Sequence, residues 1–244
     1  LSGRVDVGYQ ARPMVYLEPE NTIHSCKRLL GRRFDDGAVR IARQAHLFEI
    51  TDGPNHWPMI EARGGPYTVP EICACVLQEL KSRAEAFFGE TITKAVITVP
   101  ANANDAQREQ TRIAGRIAGL EVIRLINEPT AAAVAHALTK SETRELVVYD
   151  FGGGTFDCSV IEWGNDQARV LATHGDPYLG GDDIDLALAE WLASGVEEET
   201  GIRLRRRKAD WKRVLLACEE AKREVSRRGA MTIDVRDVGV TPSG

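Results

Sequence analysis

The sequence contains no long apolar run and few aromatic residues. No stretch of its 244 residues approaches the roughly 18 consecutive apolar residues that cross a bilayer, so no membrane-spanning segment is expected. The first residues mix charged and polar side chains and do not resemble a secretory signal, so a cytoplasmic location is expected. Aromatic residues make up 6%, charged residues 27% and hydrophobic residues 43% of the chain. This composition excludes a disordered or fibrous protein and is typical of a soluble globular one.

An excess of positive charge and a cysteine framework are also missing. The net charge of -5, with a pI near 5.7, argues against a nucleic-acid partner. The odd number of cysteines, five, without paired spacing predicts reduced and mostly buried thiols. Cys73 and Cys75 are close in sequence, but on a predicted helix they point to different sides. No histidine lies at a metal-ligand spacing from a cysteine, so no zinc site is expected.

Both ends of the chain look cut. The sequence opens with Leu1 rather than Met and ends at Gly244, just after a strand-like run. We therefore expect the chain to be an excised piece of a longer protein.

Helix-like and strand-like segments alternate along the chain. Helices are predicted at 23–30, 69–88, 105–118, 129–138, 182–193 and 209–227. Short strands are predicted within 46–62, and further strands at 95–99, 122–126, 146–149, 158–163, 168–173 and 231–235. The acidic run 197–199 and the basic run 203–208 are expected in a solvated loop and helix flank. The alternation predicts an α/β fold with mixed, partly antiparallel sheets.

Residues 150–157, Asp-Phe-Gly-Gly-Gly-Thr-Phe-Asp, are the sharpest functional signal. Three consecutive glycines between two strands let backbone N–H groups approach a phosphate closely. Thr155 adds a hydroxyl donor, and Asp150 and Asp157 flank the loop, where Mg²⁺ with retained waters would lie between carboxylates and phosphates. The loop is not of the Walker type, because no Gly-Lys-Ser/Thr follows and the next element is a strand. A plain glycine-rich hairpin turn is the alternative, which the flanking aspartates and threonine disfavour.

The last predicted helix carries a polar face and an opposing apolar stripe. Glu219, Lys222, Arg223 and Ser226 are spaced so that they project from one side. The opposing stripe consists of Trp211, Val214, Cys218, Ala221 and Val225. A polar face with an arginine suits a purine riboside, since arginine stacks on the base and the other residues hydrogen-bond to the sugar. A helix side that simply faces solvent is the alternative.

The glycine-rich string with its two strands resembles the phosphate loop of the actin-like ATPase superfamily. Other strings resemble the DnaK-type chaperones, the 70-kDa heat-shock family. They are Asn-Thr-Ile at 21–23, Lys-Arg-Leu-Leu-Gly-Arg at 27–32, Ile-Thr-Val-Pro-Ala at 97–101, Asn-Glu-Pro-Thr-Ala-Ala-Ala at 127–133, Leu-Gly-Gly-Asp-Asp at 179–183 and Cys-Glu-Glu-Ala-Lys-Arg at 218–223. The resemblance spans nearly the whole chain. It implies an actin-like ATPase (ribonuclease H-like) fold, with mixed sheets flanked by helices and incomplete at both termini.

The resemblance also implies a role for each matching residue. Lys27 would reach the γ-phosphate and position the attacking water, and Glu128 would help to hold the Mg²⁺–phosphate assembly. Asp150, Thr155 and Asp157 would orient metal and water, with Asp150, Asp157 and Glu128 binding Mg²⁺ largely through water. The phosphate cradle would be Gly152, Gly153 and Gly154, and the adenosine contacts would be Glu219, Lys222, Arg223 and Ser226. Pro100 would couple the nucleotide state to the conformation of the domain.

The implied activity is Mg²⁺-dependent hydrolysis of ATP to ADP, coupled to binding and release of unfolded polypeptides by a separate domain. The implied partners are a J-domain co-chaperone near Arg124, Asn127 and Thr130, a nucleotide exchange factor and unfolded clients, with no nucleic acid and no membrane. The implied subdomains are 1–72 (lobe I, outer), 73–143 (lobe I, inner), 144–181 (lobe II, inner) and 182–244 (lobe II, outer).

The sequence departs from the family pattern in four places. Nothing matches the first phosphate loop, an Asp-Gly-Thr-Thr-type hairpin, or the third loop, a Gly-Gly-Ser/Thr-type turn. The isolated chain is therefore expected to have weak or no ATPase activity. Asn102-Ala103 replaces an aromatic pair, and Asp182 replaces a glutamate.

Two other functions remain open from the sequence. One is a different phosphotransferase of the same superfamily, such as a sugar kinase, which the polar face of the last helix disfavours. The other is a non-catalytic interaction module, which the intact set of implied catalytic residues disfavours.

Overall fold

The computed structural model describes residues 5–137, 144–164, 167–235 and 238. The chain forms two compact units. Unit 1 is Leu1–Phe151 with Thr155–Tyr178, and unit 2 is Gly152–Gly154 with Leu179–Gly244. The division into four subdomains stays a prediction, whereas the mixed α/β class is confirmed.

The first part of unit 1 is built on a small antiparallel sheet. Its strands are β1 (Glu49–Asp52), β2 (Pro58–Ala62) and β3 (Gly65–Thr68), with Ile50 opposite Ile60. Helices α1 (Met14–Leu17) and α2 (Gly37–Ala45) and the 3-10 helices Gly8–Gln10, Pro19–Asn21, Cys26–Leu29 and Pro54–His56 surround it. The buried core of this region includes Leu29, Val39, Phe48, Ile50, Ile60 and Val69.

One expectation for this region was wrong, and two of its elements were missed. The helix predicted at 23–30 is one 3-10 turn, Cys26–Leu29, because Ser25 is left-handed (φ 54°) and the ψ of Leu30, 129°, is not helical. Helix α2 and strand β3 were not predicted. α2 begins where the Asp36 side chain accepts a hydrogen bond from the Ala38 N–H at 2.9 Å, which satisfies one of the unpaired donors of the first turn.

The second part of unit 1 contains a parallel strand pair covered by helices. β4 (Lys94–Val99) pairs with β5 (Glu121–Asn127), and α3 (Val69–Phe88) and α4 (Asp105–Ile117) pack together beside them. A capping box between Thr68 and Glu71 begins α3, and another between Asn104 and Gln107 begins α4. Helix α5 (Glu128–Ala137) follows β5 without a loop, which places Glu128 in its first turn.

An antiparallel meander completes unit 1. β6 (Arg144–Phe151), β7 (Phe156–Gly164) and β8 (Gln167–Asp176) lie in that order, and α5 packs against them. The register places Asp150 directly opposite Asp157. The expected combination of parallel and antiparallel strands is therefore confirmed.

Unit 2 is a helix pair joined to the glycine loop. α6 (Gly181–Thr200) packs on α7 (Lys208–Arg228), with the 3-10 helix Leu204–Arg206 between them in sequence. The core of the pair is Ala189, Ala193, Leu204, Trp211, Val214 and Cys218.

Three expectations for unit 2 are corrected. α6 extends to Thr200 rather than ending near residue 193, so the acidic run 197–199 is helical and not a loop. Glu197 accepts a hydrogen bond from Arg203 at 2.8 Å, which stabilises this last turn. Residues 231–235 are not a strand, because they join none of the ladders in the described part of the chain.

None of the helices in the described ranges combines the length and apolarity needed to cross a bilayer.

Candidate functional site

The Lys27 and Glu128 side chains form an ion pair within unit 1. The 3-10 helix Cys26–Leu29 carries Lys27, and the junction of β5 and α5 carries Glu128. Lys27 Nζ lies 2.6 Å from Glu128 Oε1, a short contact typical of a charge-assisted hydrogen bond. The lysine side chain is 56% exposed and the glutamate 17%. The ammonium group is therefore held by protein while it remains open to a ligand.

A buried carboxylate lies in the same electrostatic environment. Asp157 is only 5% exposed and faces the same side of the β6–β7 ladder as Asp150, its direct cross-strand neighbour. Burial raises the pKa of Asp157, the negative charges of Glu128 and Asp150 raise it further, and Lys27 partly offsets them. The three carboxylates thus form a region where a bound cation is favoured.

A cavity of about 380 Å³ in unit 1 brings together residues from separate sequence strings. Lys27, Pro100, Thr155 and Asp157 all line it. Asn102, which departs from the family pattern, also lines it, and its Nδ2 donates a long hydrogen bond of 3.4 Å to Asp157 Oδ1. Four residues to which the resemblance assigned a role therefore line the same cavity.

The donor set fits Mg²⁺ held mainly through water. Glu128, Asp150 and Asp157 offer the hard oxygen donors that Mg²⁺ prefers. The pKa of Asp157 is raised by burial first and then by the charges of Glu128 and Asp150. Within the described ranges, no three acidic, histidine or cysteine side chains converge closely enough to bind a metal directly. Water-mediated coordination is common for this ion, which dehydrates reluctantly.

In unit 2, the glycine loop is held by the start of α6. The Gly181 N–H donates to Gly152 O at 3.0 Å, and the Asp182 N–H donates to Gly153 O at 2.8 Å. A Cβ at Gly180 would lie 2.6 Å from the Gly153 backbone, so only glycine permits this approach. The Asp183 carboxylate accepts the Gly180 N–H at 2.8 Å and fixes the turn into the helix. The loop conformation is thus set by the Leu-Gly-Gly-Asp-Asp string.

The predicted polar face of α7 is present, but its members differ in their contacts. Lys222 Nζ donates to Asp185 Oδ2 at 2.6 Å and to Gly181 O at 2.7 Å, so it is bound inside the helix pair. Arg223 and Glu219 form an ion pair at 2.6 Å. Ser226 is exposed, and its hydroxyl donates to Lys222 O at 3.2 Å. Arg223 and Ser226 therefore remain on the open side of the helix.

The apolar stripe of α7 is confirmed with one exception. Trp211, Val214, Cys218 and Ala221 are buried. Val225 is 43% exposed, so its assignment to the stripe was wrong. It lies in the last turns of the helix, beyond the core residues of the α6–α7 pair.

The residues implied to meet a J-domain partner lie at the end of β5 and the start of α5. Arg124 is exposed, and Thr130 is half-buried. Asn127 Oδ1 accepts a hydrogen bond from Arg108 Nη2 at 2.9 Å, so it also has a structural contact.

Two residues that bind predicted site residues were not identified from the sequence. They are Asp185, which binds Lys222, and Arg108, which binds Asn127. Asp185 neutralises Lys222 from 37 residues away, and Arg108 bonds both Asn127 and the Ala103 carbonyl. Each lies on a helix face with ordinary amphipathic spacing. No sequence signal distinguishes them from solvated side chains, since their partners are distant along the chain.

The mixed α/β fold is that of the actin-like ATPase class. A family model described as "Hsp70 protein" matches residues 2–244. The chain therefore belongs to the Hsp70 family. Membership supports a chaperone ATPase domain that binds nucleotide and works with co-chaperones and unfolded clients.

Proposed function

We propose that this chain is the central part of the ATP-binding and ATP-hydrolysing domain of a DnaK-type chaperone. In it, Mg²⁺-dependent ATP hydrolysis is coupled to binding and release of unfolded polypeptides. The observation that carries the proposal is the Lys27–Glu128 contact of 2.6 Å beside the buried Asp157. Phosphoryl transfer needs a lysine close to a group of carboxylates. Catalysis of this reaction depends mostly on positioning of the reactants and on stabilisation of charge.

Lys27 has the geometry of a phosphate-binding cation. Its ammonium group carries three donors and uses one of them on Glu128, so others remain for a γ-phosphate oxygen and a water. Glu128 orients the amine, because a flexible four-carbon side chain would otherwise sample many positions. We assign to Lys27 the stabilisation of charge on the γ-phosphate and the placement of the attacking water.

Asp150, Asp157 and Glu128 supply the negative charge that would hold Mg²⁺ through its waters. The ion, when bound, offsets charge on the phosphate oxygens. Asp157 must be ionised to act in this way, and its raised pKa means that ionisation costs free energy in the folded protein. Thr155 lines the same cavity and offers a hydroxyl to the phosphate or to water.

In unit 2, we assign the backbone of Gly152, Gly153 and Gly154 to phosphate binding and the open side of α7 to adenosine. Arg223 supplies a planar cation for stacking on the base, and Glu219 and Ser226 supply hydrogen bonds to the ribose. Lys222 is better placed as a positioning residue. It contacts the Gly181 carbonyl, and the Gly181 N–H bonds Gly152, so Lys222 connects α7 to the glycine loop.

The partner assignments follow from family membership. We propose that a J-domain co-chaperone contacts the region of Arg124, Asn127 and Thr130, and that an exchange factor promotes nucleotide release. Clients would bind through a separate domain, and the whole protein would act in the cytoplasm. Pro100 lines the cavity beside Lys27, which is where a residue that couples nucleotide state to conformation is expected.

Steady-state ATP hydrolysis and calorimetric ADP binding test the proposal, with and without Mg²⁺. The assay uses the full-length gene product and its Lys27→Ala variant. Hydrolysis should require Mg²⁺ and should fall by about 10²-fold or more in the variant, the usual scale for loss of one charge-stabilising group. Affinity for ADP should change by less than about threefold, because Lys27 acts on the γ-phosphate. Lys94→Ala, an exposed lysine at the start of β4, is the matched control.

Other results would identify the competing functions. Nucleotide binding without turnover would favour a non-catalytic module. Transfer of the γ-phosphate to a sugar would favour a phosphotransferase.

A further inference from the structure

Two cysteines that are distant in sequence lie next to each other in unit 1. Cys26 begins the 3-10 helix Cys26–Leu29, and Cys73 lies in the first turns of α3. Their Sγ atoms are 3.8 Å apart across a separation of 47 residues, and both thiols are free. A disulfide requires about 2.05 Å between the sulfurs, so a modest approach of the two segments would allow one to form.

The pair is open to small reagents. Neither cysteine is fully buried, and both line the 380 Å³ cavity that also contains Lys27, Thr155 and Asp157. The expectation that the thiols are mostly buried was therefore wrong for this pair, and only Cys218 is buried among the five. An oxidant of the size of hydrogen peroxide can enter a cavity of this volume.

The contact between the two sulfurs shifts their pKa values in opposite directions. The two sulfur atoms lie within hydrogen-bond distance of each other, and this contact lowers the pKa of Cys26. The same contact, together with burial, raises the pKa of Cys73. A cysteine of lowered pKa next to a second thiol is the arrangement of a nucleophilic cysteine with its resolving partner.

We propose that Cys26 and Cys73 are a peroxide-sensitive modification site that forms a reversible disulfide beside Lys27. The Cys26 thiolate attacks one peroxide oxygen, the O–O bond breaks, and a sulfenic acid and hydroxide result. The Cys73 sulfur then attacks the Cys26 sulfur and displaces the sulfenic oxygen, which leaves as water. In sum, two thiols and one H₂O₂ give one disulfide and two waters. A dithiol reductant returns the disulfide to two thiols and is itself oxidised to a disulfide.

The consequence for hydrolysis rests on the proposed function. Cys26 directly precedes Lys27, so a bond from Cys26 to α3 pulls on the short helix that carries the lysine. The sulfurs must approach by about 1.8 Å, from the observed 3.8 Å to the length of a disulfide. A displacement of about 1 Å at a reacting group can cost as much as 10²-fold in rate. The oxidised protein should therefore hydrolyse ATP about tenfold or more slowly.

Peptide mapping tests disulfide formation without any assay of activity. The native full-length protein is treated with hydrogen peroxide, blocked with N-ethylmaleimide, digested without reduction and analysed by mass spectrometry. We expect a linked peptide that joins Cys26 to Cys73 and that dithiothreitol removes. It should persist in Cys75→Ser, a matched control on the same helix, where the native thiol donates to the Glu71 carbonyl. A linkage to any other cysteine, or oxidation of Cys26 to sulfinic acid without a linkage, would overturn the proposal.

Activity after oxidation tests the consequence. Peroxide should slow hydrolysis by wild type and Cys75→Ser about tenfold, with recovery in dithiothreitol, and should leave Cys73→Ser largely unaffected. A linked protein with unchanged turnover would refute the effect on Lys27. Absence of turnover in the reduced protein would refute the proposed function instead, while the mapped linkage would still support the modification site.

Discussion

The Lys27 ammonium group contacts the Glu128 carboxylate at 2.6 Å, although 101 residues separate them in the chain. Both side chains lie at the ends of short or regular elements. Lys27 lies in a single 3-10 turn, and Glu128 is the first residue of α5. Ends of elements leave backbone groups unpaired and open to ligands. The contact therefore pairs a cation and an anion at two element ends that are distant in sequence.

Lys27 and Glu128 should act as a unit in hydrolysis. Lys27→Ala and Glu128→Ala should each lower kcat for ATP by about 10²-fold or more, and the double variant should be little worse than either one. Groups that act together are strongly non-additive, because removal of one makes the other ineffective. Steady-state kinetics of the four proteins in a double-mutant cycle gives the coupling.

The ion pair between Arg83 and Glu79 on α3 is the matched control. Its atoms lie at 2.7 Å, and the arginine side chain is 60% exposed. Its alanine variants should leave kcat unchanged. Additive losses at Lys27 and Glu128 would show that their contact has no part in catalysis.

Asp157 should limit stability at neutral pH. Its folded-state pKa is raised above the ordinary 3.8 by burial and by negative neighbours, so ionisation above that range destabilises the folded state. Asp157→Asn should therefore be more stable than wild type at pH 7.5 by about 1 kcal/mol, a common size for one stabilising change. The difference should shrink towards zero as pH falls below 3.8, where Asp157 is protonated in both states. Hydrolysis should be lost.

Urea unfolding followed by tryptophan fluorescence at several pH values measures this difference. Asp35→Asn removes an exposed carboxylate and should change stability by less than about 0.5 kcal/mol. A variant at Asp157 that is less stable than wild type at pH 7.5 would contradict the assignment of a destabilising buried charge.

Local signals in the sequence predicted most elements of the structure. Helix α3 follows from the helical spacing of its apolar residues, and the β6–β7 hairpin follows from two strand-like runs around three glycines. These features act over a few residues, so they are visible without tertiary contacts. The end of α6 was misplaced because the run 197–199 is stabilised by Arg203, which lies beyond the helix.

The candidate site was only partly predictable. The resemblance named Lys27, Glu128 and Asp157, but the distances between them depend on how β4, β5 and the β6–β8 sheet pack. The contacts of Lys222 with Asp185 and of Cys26 with Cys73 join residues 37 and 47 positions apart. Such pairs carry no periodic signal, so the sequence predicted neither contact.

Arg223 should contribute to binding of adenine nucleotides. Arg223→Ala should weaken ADP binding by about 3- to 30-fold, since stacking of a guanidinium on a base contributes about 0.5–2 kcal/mol. Arg227→Ala, one turn further along α7, is the control because Arg227 likewise pairs with a glutamate of its own helix, Glu224 at 3.2 Å. Isothermal titration with ADP compares the two variants. Equal losses of ADP affinity in Arg223→Ala and Arg227→Ala would show that the face of α7 does not bind adenosine.

Two glycines in unit 2 should respond in opposite ways to alanine. A Cβ at Gly180 would lie 2.6 Å from the Gly153 backbone, so Gly180→Ala should push α6 away from the glycine loop. Overpacking of this kind costs about 1–3 kcal/mol and should also weaken the hydrogen bonds from Gly181 and Asp182 to the loop. ADP affinity should fall with it, because the loop is assigned to the phosphates.

Gly195 lies within α6, and a methyl group added there would have no described atom within 4 Å and no left-handed φ to strain it. Gly195→Ala should stabilise the protein by about 1 kcal/mol, the difference in helix propensity between the two residues, with ADP affinity unchanged. Thermal unfolding and ADP titration of both variants check these expectations. Because the two substitutions add the same methyl group at or near the same helix, a similar response at both positions would mean that close contact with Gly153 does not hold the loop in place.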